Sequence, residues 1–159
     1  MHALLTLLEA DARATPEVLA RQLDTTPEAV VAQMREFEEK KIILGYRAVI
    51  DDEKAGRGTV RAVIEVRVTP ERDGGFDRIA ARVSKYPEVS ACFLMSGGYD
   101  LLVFIEGKNL QEVALFVSQK LAAIQGVLST ATHFMLKPYK EHGVVLVGEG
   151  KVERLSVTP

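Results

Sequence analysis

The chain has 159 residues, of which 47% are apolar and 26% charged, with a formal net charge of −2. That suffices for one domain or two small ones; no apolar run reaches the length of a membrane span and no basic-then-apolar leader opens the sequence, so a soluble, cytoplasmic protein with no membrane partner is expected. Charge divides unevenly: residues 1–55 carry seven Lys/Arg against eleven Asp/Glu, net −4, and the remainder is net +2, a balance that argues against strong non-specific binding to nucleic acid.

Residues 3–11 form a first helix with Leu4, Leu5, Leu7 and Leu8 on its apolar side. Thr15-Pro16-Glu17 then gives a hydroxyl N-cap, a proline suited to the first turn and an acid near the positive helix end, and starts a second helix running to residue 23. Thr26-Pro27-Glu28 repeats that signal and starts a third helix running to about residue 41. Two capped helices separated by a tight turn make a helix-turn-helix. Residues 42–50 follow, with Gly45 placed to turn two small strands, and read as a wing. Together these form a winged helix-turn-helix domain over residues 1–50.

In the third helix Val30, Met34, Phe37 and Val31 recur at core spacing. The opposite face offers Glu28, Ala29, Ala32, Gln33 and Glu36, where Gln33 can read an adenine edge and the alanines can touch thymine methyls. The candidate DNA contacts are Thr26, Ala29, Ala32 and Gln33, with Arg35, Lys40 and Arg47 at the margins for phosphates. Two glutamates on that face oppose phosphate, so modest affinity for double-stranded DNA is expected.

Residues 51–58 are polar and glycine-bearing and read as a hinge. Beyond it, Val60, Ala62, Ile64, Val66 and Val68 alternate with polar residues as in a half-buried strand. An amphipathic helix over 76–85 turns Ile79, Ala80 and Val83 inward; strands follow over 89–96 and 101–106. A helix then runs from 110 to about 123, buried through Val113, Leu115, Phe116 and Leu121, and a last strand spans 127–137. The order βαββαβ is a ferredoxin-like split βαβ over residues 59–140, with 141–159 as a tail, so the fold class is α+β. Strands such as Leu101-Leu102-Val103-Phe104-Ile105 are apolar on both sides, so the sheet face without helices needs cover, and a second copy of the chain supplies it most economically.

Ser96-Gly97-Gly98-Tyr99-Asp100 joins the middle strands. A Gly-Gly pair permits a reversal with positive φ and leaves backbone N–H groups open to a small anion, while Asp100 can meet a cation. The two ends of a zwitterion, a free amino acid, suit such a hairpin. Cys92 lies in a strand pattern and reads as a buried thiol, and His2, His133 and His142 have no zinc-type spacing, so neither a metal nor a cofactor is expected.

Leu19-Ala20 entering helix two, Thr26-Pro27-Glu28-Ala29-Val30 starting helix three, Ile43-Leu44-Gly45-Tyr46 in the wing, the Gly97-Gly98-Tyr99-Asp100-Leu101 hairpin and Ser129-Thr130-Ala131-Thr132-His133 in the last strand together resemble the Lrp/AsnC (feast/famine) family of transcriptional regulators. The resemblance covers nearly the whole chain. It implies an amino-acid effector enclosed by the hairpin of one dimer and the last strand of a neighbouring one, lined by Gly97, Gly98, Tyr99, Asp100, Thr130 and Thr132, in dimers that assemble into tetramers or octamers and position winged helices on DNA without catalysis. Where the family commonly has basic residues in the middle of helix three, this chain has Val31, Ala32, Gln33 and Glu36. Two alternatives stand beside that reading: an effector-binding assembly module with little DNA binding of its own, and an enzyme resembling tetrapyrrole decarboxylases, with His133 as the reactive group.

Overall fold

Three helices, α1 (Ala3–Ala10), α2 (Pro16–Leu23) and α3 (Pro27–Glu39), build the first of two units into which the chain divides between Val49 and Ile50. The computed structural model describes residues 2–69 and 75–146. Leu4, Leu8, Leu19, Ala20, Val30 and Phe37 form the core of this unit, with Leu5, Leu7, Leu23, Met34 and Ile43 packed around it. Each such buried aliphatic side chain contributes about 1.5–3 kcal/mol relative to exposure, which holds three helices too short to be stable alone.

The tight turn of the helix-turn-helix is a Schellman closure. Asp24 takes a left-handed conformation (φ 51°) and the Thr25 N–H donates to the Ala20 carbonyl. Helix α3 closes the same way, with Lys41 left-handed (φ 56°) and Ile42 N–H donating to the Phe37 carbonyl. At the starts, the Thr26 hydroxyl accepts from Ala29 N–H (3.3 Å) as an N-cap should. Thr15 departs from that expectation: its side chain makes no cap bond and instead serves the Glu17 carboxylate, which this bond and the Glu17 backbone hold below the usual range.

The wing is not formed. Residues 44–50 form no helix and no strand, and Gly45 is not left-handed, so the two strands of a wing are absent among the described residues. Leu44 is 86% exposed, and Ile42, Tyr46, Val49 and Ile50 are exposed too. Tyr46 is fixed by donating its hydroxyl to Glu38 Oε1 (3.1 Å), and partial burial followed by this carboxylate pushes its phenol up. Residues 51–58 are likewise no open linker: Asp51 accepts from the N–H of Lys54 and of Ala55, and Gly56 closes the turn with φ 66°.

The second unit contains β1 (Val60–Val68), α4 (Gly75–Val83), β2 (Val89–Leu94), β3 (Leu101–Gly107), α5 (Leu110–Leu115) continued by a π-helical segment (Phe116–Leu121), and β4 (Val127–Phe134). The sheet is antiparallel in the order β2-β3-β1-β4, the ferredoxin-like arrangement expected. Ala62, Ile64, Val66, Val68, Leu101, Val103 and Ile105 pack against Ile79, Val83, Val113, Phe116, Leu121 and Ile124, so both helical segments cover the same face. Leu115, expected inside, is exposed: it stands about 200° round the helix from buried Val113 and about 100° from Phe116.

On the other face Phe93, Leu102 and Glu65 stand in one cross-strand row and Ala91, Phe104, Val63 and His133 in the next. Phe93 is 51% exposed and meets Phe104 edge to face at 6.0 Å. The expected tail begins instead as a small hairpin, β5 (Lys140–Glu141) and β6 (Val144–Val145), turned by His142 and Gly143, both with positive φ. Glu141 of this hairpin pairs with Arg61 at 2.5 Å and raises the guanidinium's pKa. The rest of the tail lies outside the described residues. Among the described residues no helix is long and apolar enough to cross a membrane, and no cluster of three or more His, Cys, Asp or Glu side chains is placed to hold a metal.

Candidate functional sites

Helix α3 presents its residues differently from the sequence reading. Val30 and Phe37 are buried and Met34 half-buried, but Val31 is 41% exposed and points away from the core. Thr26, Ala29, Ala32, Arg35 and Lys40 are exposed, as is Arg47 in the extended segment. Gln33 is half-buried, and its Nε2 donates to Nδ1 of His2 (3.3 Å), whose ring packs edge to face on Phe37 at 5.0 Å. The adenine-reading amide is thus engaged at the start of α1. Lys40 forms an i,i+4 pair with Glu36 and holds that carboxyl below its usual value, so one candidate phosphate contact is occupied by a neighbour.

In the second unit β2 and β3 pair up to Leu94 and Leu101, and Met95 N–H closes onto the Asp100 carbonyl at 2.8 Å. Ser96, Gly97 and Gly98 project beyond that closure and are exposed. Only Gly97 has positive φ (138°); Gly98 does not, which corrects the expectation that both glycines serve the reversal. A Cβ at either position meets nothing within 4 Å, so the backbone is open on this side.

Asp100 is tied into the sheet. Its N–H donates to the Val66 carbonyl (3.0 Å) and its Oδ2 accepts from Val68 N–H (2.8 Å). The cause lies in the ladder: β3 leaves β1 after Leu101 pairs with Val66, and β1 bulges between Arg67 and Val68 against β4, so Val68 N–H would otherwise lose its partner. This anchoring was not legible in the sequence, because it depends on where two strands part. Tyr99 is half-buried beside it.

Thr130 pairs with the same Val66 from the other side of β1, and Thr132 pairs with Ile64. Thr130 therefore lies two strand spacings from Asp100, about 10 Å, at the same end of the sheet. Both threonines are half-buried. The hairpin and the start of β4 are brought to one end of the domain, but within one chain they do not close around a ligand. His133 is on the helix-free face, with Nε2 3.4 Å from Glu65 Oε1.

A family model described as the Lrp/AsnC ligand binding domain matches residues 61–145. YugG of Bacillus subtilis, named an HTH-type transcriptional regulator, is 40% identical over 98% of this chain and 95% of its own length. The proline dehydrogenase transcriptional activator of Rhodobacter capsulatus is 30% identical over 83% and 85%. Among solved structures, a Neisseria meningitidis transcriptional regulator in complex with L-methionine superposes with a TM-score of 0.69 at 27% identity, covering 87% of this chain and 88% of that one. E. coli AsnC, at 20% identity, shares the fold with a TM-score of 0.66, covering 87% and 91%. With a helix-turn-helix ahead of a βαββαβ domain, and relatives matched along nearly its full length, the chain belongs to the Lrp/AsnC family of transcriptional regulators.

Proposed function

We propose that this chain is a cytoplasmic, amino-acid-responsive regulator that binds double-stranded DNA through α3 and an amino acid at the Gly97–Asp100 hairpin. The observation that carries the reading is the hairpin itself: open backbone at Gly97 and Gly98 stands beside a carboxylate held in place by the sheet. The N–H groups suit an α-carboxylate, and Asp100, with one oxygen on Val68, turns its charge to an α-ammonium. The L-methionine complex of the Neisseria relative supports this ligand class. Tyr99, Thr130 and Thr132 complete the site, and since one chain leaves it open, the closing residues come from another copy.

The apolar side chains Phe93, Leu102, Phe104 and Val63, in two adjoining rows, support a dimer formed through the helix-free sheet face, with tetramers or octamers built from dimers. Effector bound between dimers then changes the assembly and hence the spacing of the DNA-binding heads, a linkage that requires no catalysis and no cofactor. A thermal-shift screen against the amino acids, run with native mass spectrometry and a gel shift on the protein's own promoter, tests the whole reading. Stabilisation by an amino acid together with a change in assembly supports it; a stable monomer indifferent to every amino acid refutes it. The acidic residues Glu28, Glu36, Glu38 and Glu39 on α3 favour a second reading, an assembly module with little DNA binding, and absence of any shift at low salt would select it.

A further inference from the structure

One exposed stripe of α3 consists of Glu28, Val31, Ala32 and Arg35, at i, i+3, i+4 and i+7. It spans about 10 Å along the axis, or roughly three base-pair steps. Its centre is apolar: Val31 is 41% exposed and stands about 100° round the helix from the buried pair Val30 and Phe37. Gln33 is on the flank, half-buried and bonded to His2.

Resting on the reading that α3 enters DNA, we propose that Val31, with Ala32, is the base-reading centre and takes thymine C5-methyl groups in the major groove, with Glu28 and Arg35 reading the adjoining pairs, and that Gln33 reads no base. The chemistry is selective. The thymine methyl is the one apolar group that the major-groove edges display. A glutamate accepts, so beside the methyl it suits a cytosine amino group, while Arg35 suits a guanine edge. The same glutamate repels phosphate, which places this stripe over base edges and not against the backbone.

The test starts from sites selected by the full-length protein from a random duplex library, followed by replacement of each thymine in the selected site with deoxyuridine, which removes only the methyl. Loss of about four-fold in affinity at one or two central positions is expected, the scale of one buried CH2-sized group. Val31→Ser, whose fold is checked by an unchanged melting temperature, is expected to bind thymine and uracil sites alike, and Gln33→Ala to select the same sequence as wild type. The proposal is overturned if no thymine responds, if Val31→Ser keeps the uracil penalty, or if Gln33→Ala changes the selected sequence. Failure to enrich any sequence is a different outcome: it removes DNA binding itself, and the proposal with it.

Discussion

The proposed function gives Asp100 a second task beside its bond to Val68, so replacing it by asparagine and by alanine is expected to give two different results. Asparagine keeps a carbonyl oxygen where Oδ2 accepts from Val68 N–H, but removes the charge facing the ligand. Stability should therefore stay within about 0.5 kcal/mol of wild type, whereas amino-acid affinity falls by about 1.5–3 kcal/mol, the worth of a charged hydrogen bond, or roughly ten- to 150-fold in Kd. Alanine additionally strands the Val68 N–H in a part-buried position, at a further cost in stability of about 1–3 kcal/mol. Denaturant unfolding and calorimetric titration, with the amino acid that gives the largest thermal shift, separate the two effects, and exchange of the Val68 amide reports the bond directly. Unchanged affinity in Asp100→Asn would refute the ammonium contact. An alanine variant as stable as wild type would refute the anchoring.

A charge on the helix-free sheet face, in Leu102→Glu or Phe104→Glu, should convert the proposed dimer to monomer in native mass spectra or misfold it; a dimer that persists in a well-folded variant rules out that face as the interface. Lys41→Gly should stabilise the N-terminal unit by about 0.5–1 kcal/mol, relief of a left-handed side-chain penalty less the added chain entropy of glycine, read from thermal unfolding. The Lys120 ammonium holds the Glu88 carboxyl below its ordinary value of 4.5. A depressed carboxylate lends stability that is present above its unfolded-state pKa and is lost as pH falls through the folded one, so Lys120→Met should flatten the acid limb of a stability-versus-pH curve. An identical acid limb in that variant would show that the pair contributes nothing.

What the sequence disclosed, and what it did not, follows the range of the interactions involved. Alternation in β1 and the repeated Thr-Pro-Glu starts are local signals, and the sheet order and both helix starts appear where they place them. The wing failed because it rested on Gly45 as a turn, and Gly45 does not take a left-handed conformation and no strand forms on either side of it. The small β5–β6 hairpin was missed although His142-Gly143 is a turn dipeptide, since two-residue strands leave no periodic pattern. Gln33 and Val31 exchanged places because 100° steps counted from Val30 leave two side chains at the boundary of the apolar arc, and only the packing of His2 on Phe37 decides between them. The glycine hairpin was legible as an opening, but the bond from Val68 that orients its carboxylate was not.

The π segment Phe116–Leu121 sets the aim of Lys120, which reaches Glu88 and lies over the rings of Tyr86 and Phe116 at 5.6 and 5.8 Å. A π turn in a helix is the trace of extra length taken up between fixed ends. Deleting a single residue there, Ser118 for instance, would let the segment return to α geometry with Val113 before it and Leu121 after it still on one face, because seven α-helical steps turn about 700° and eight turn about 800°. The same deletion in α5, ahead of the wide turn, would instead swing Val113 about 100° off the core. Tolerance of a lost residue along this helix is consequently set by position, greatest where the π turn holds one residue more than α geometry needs.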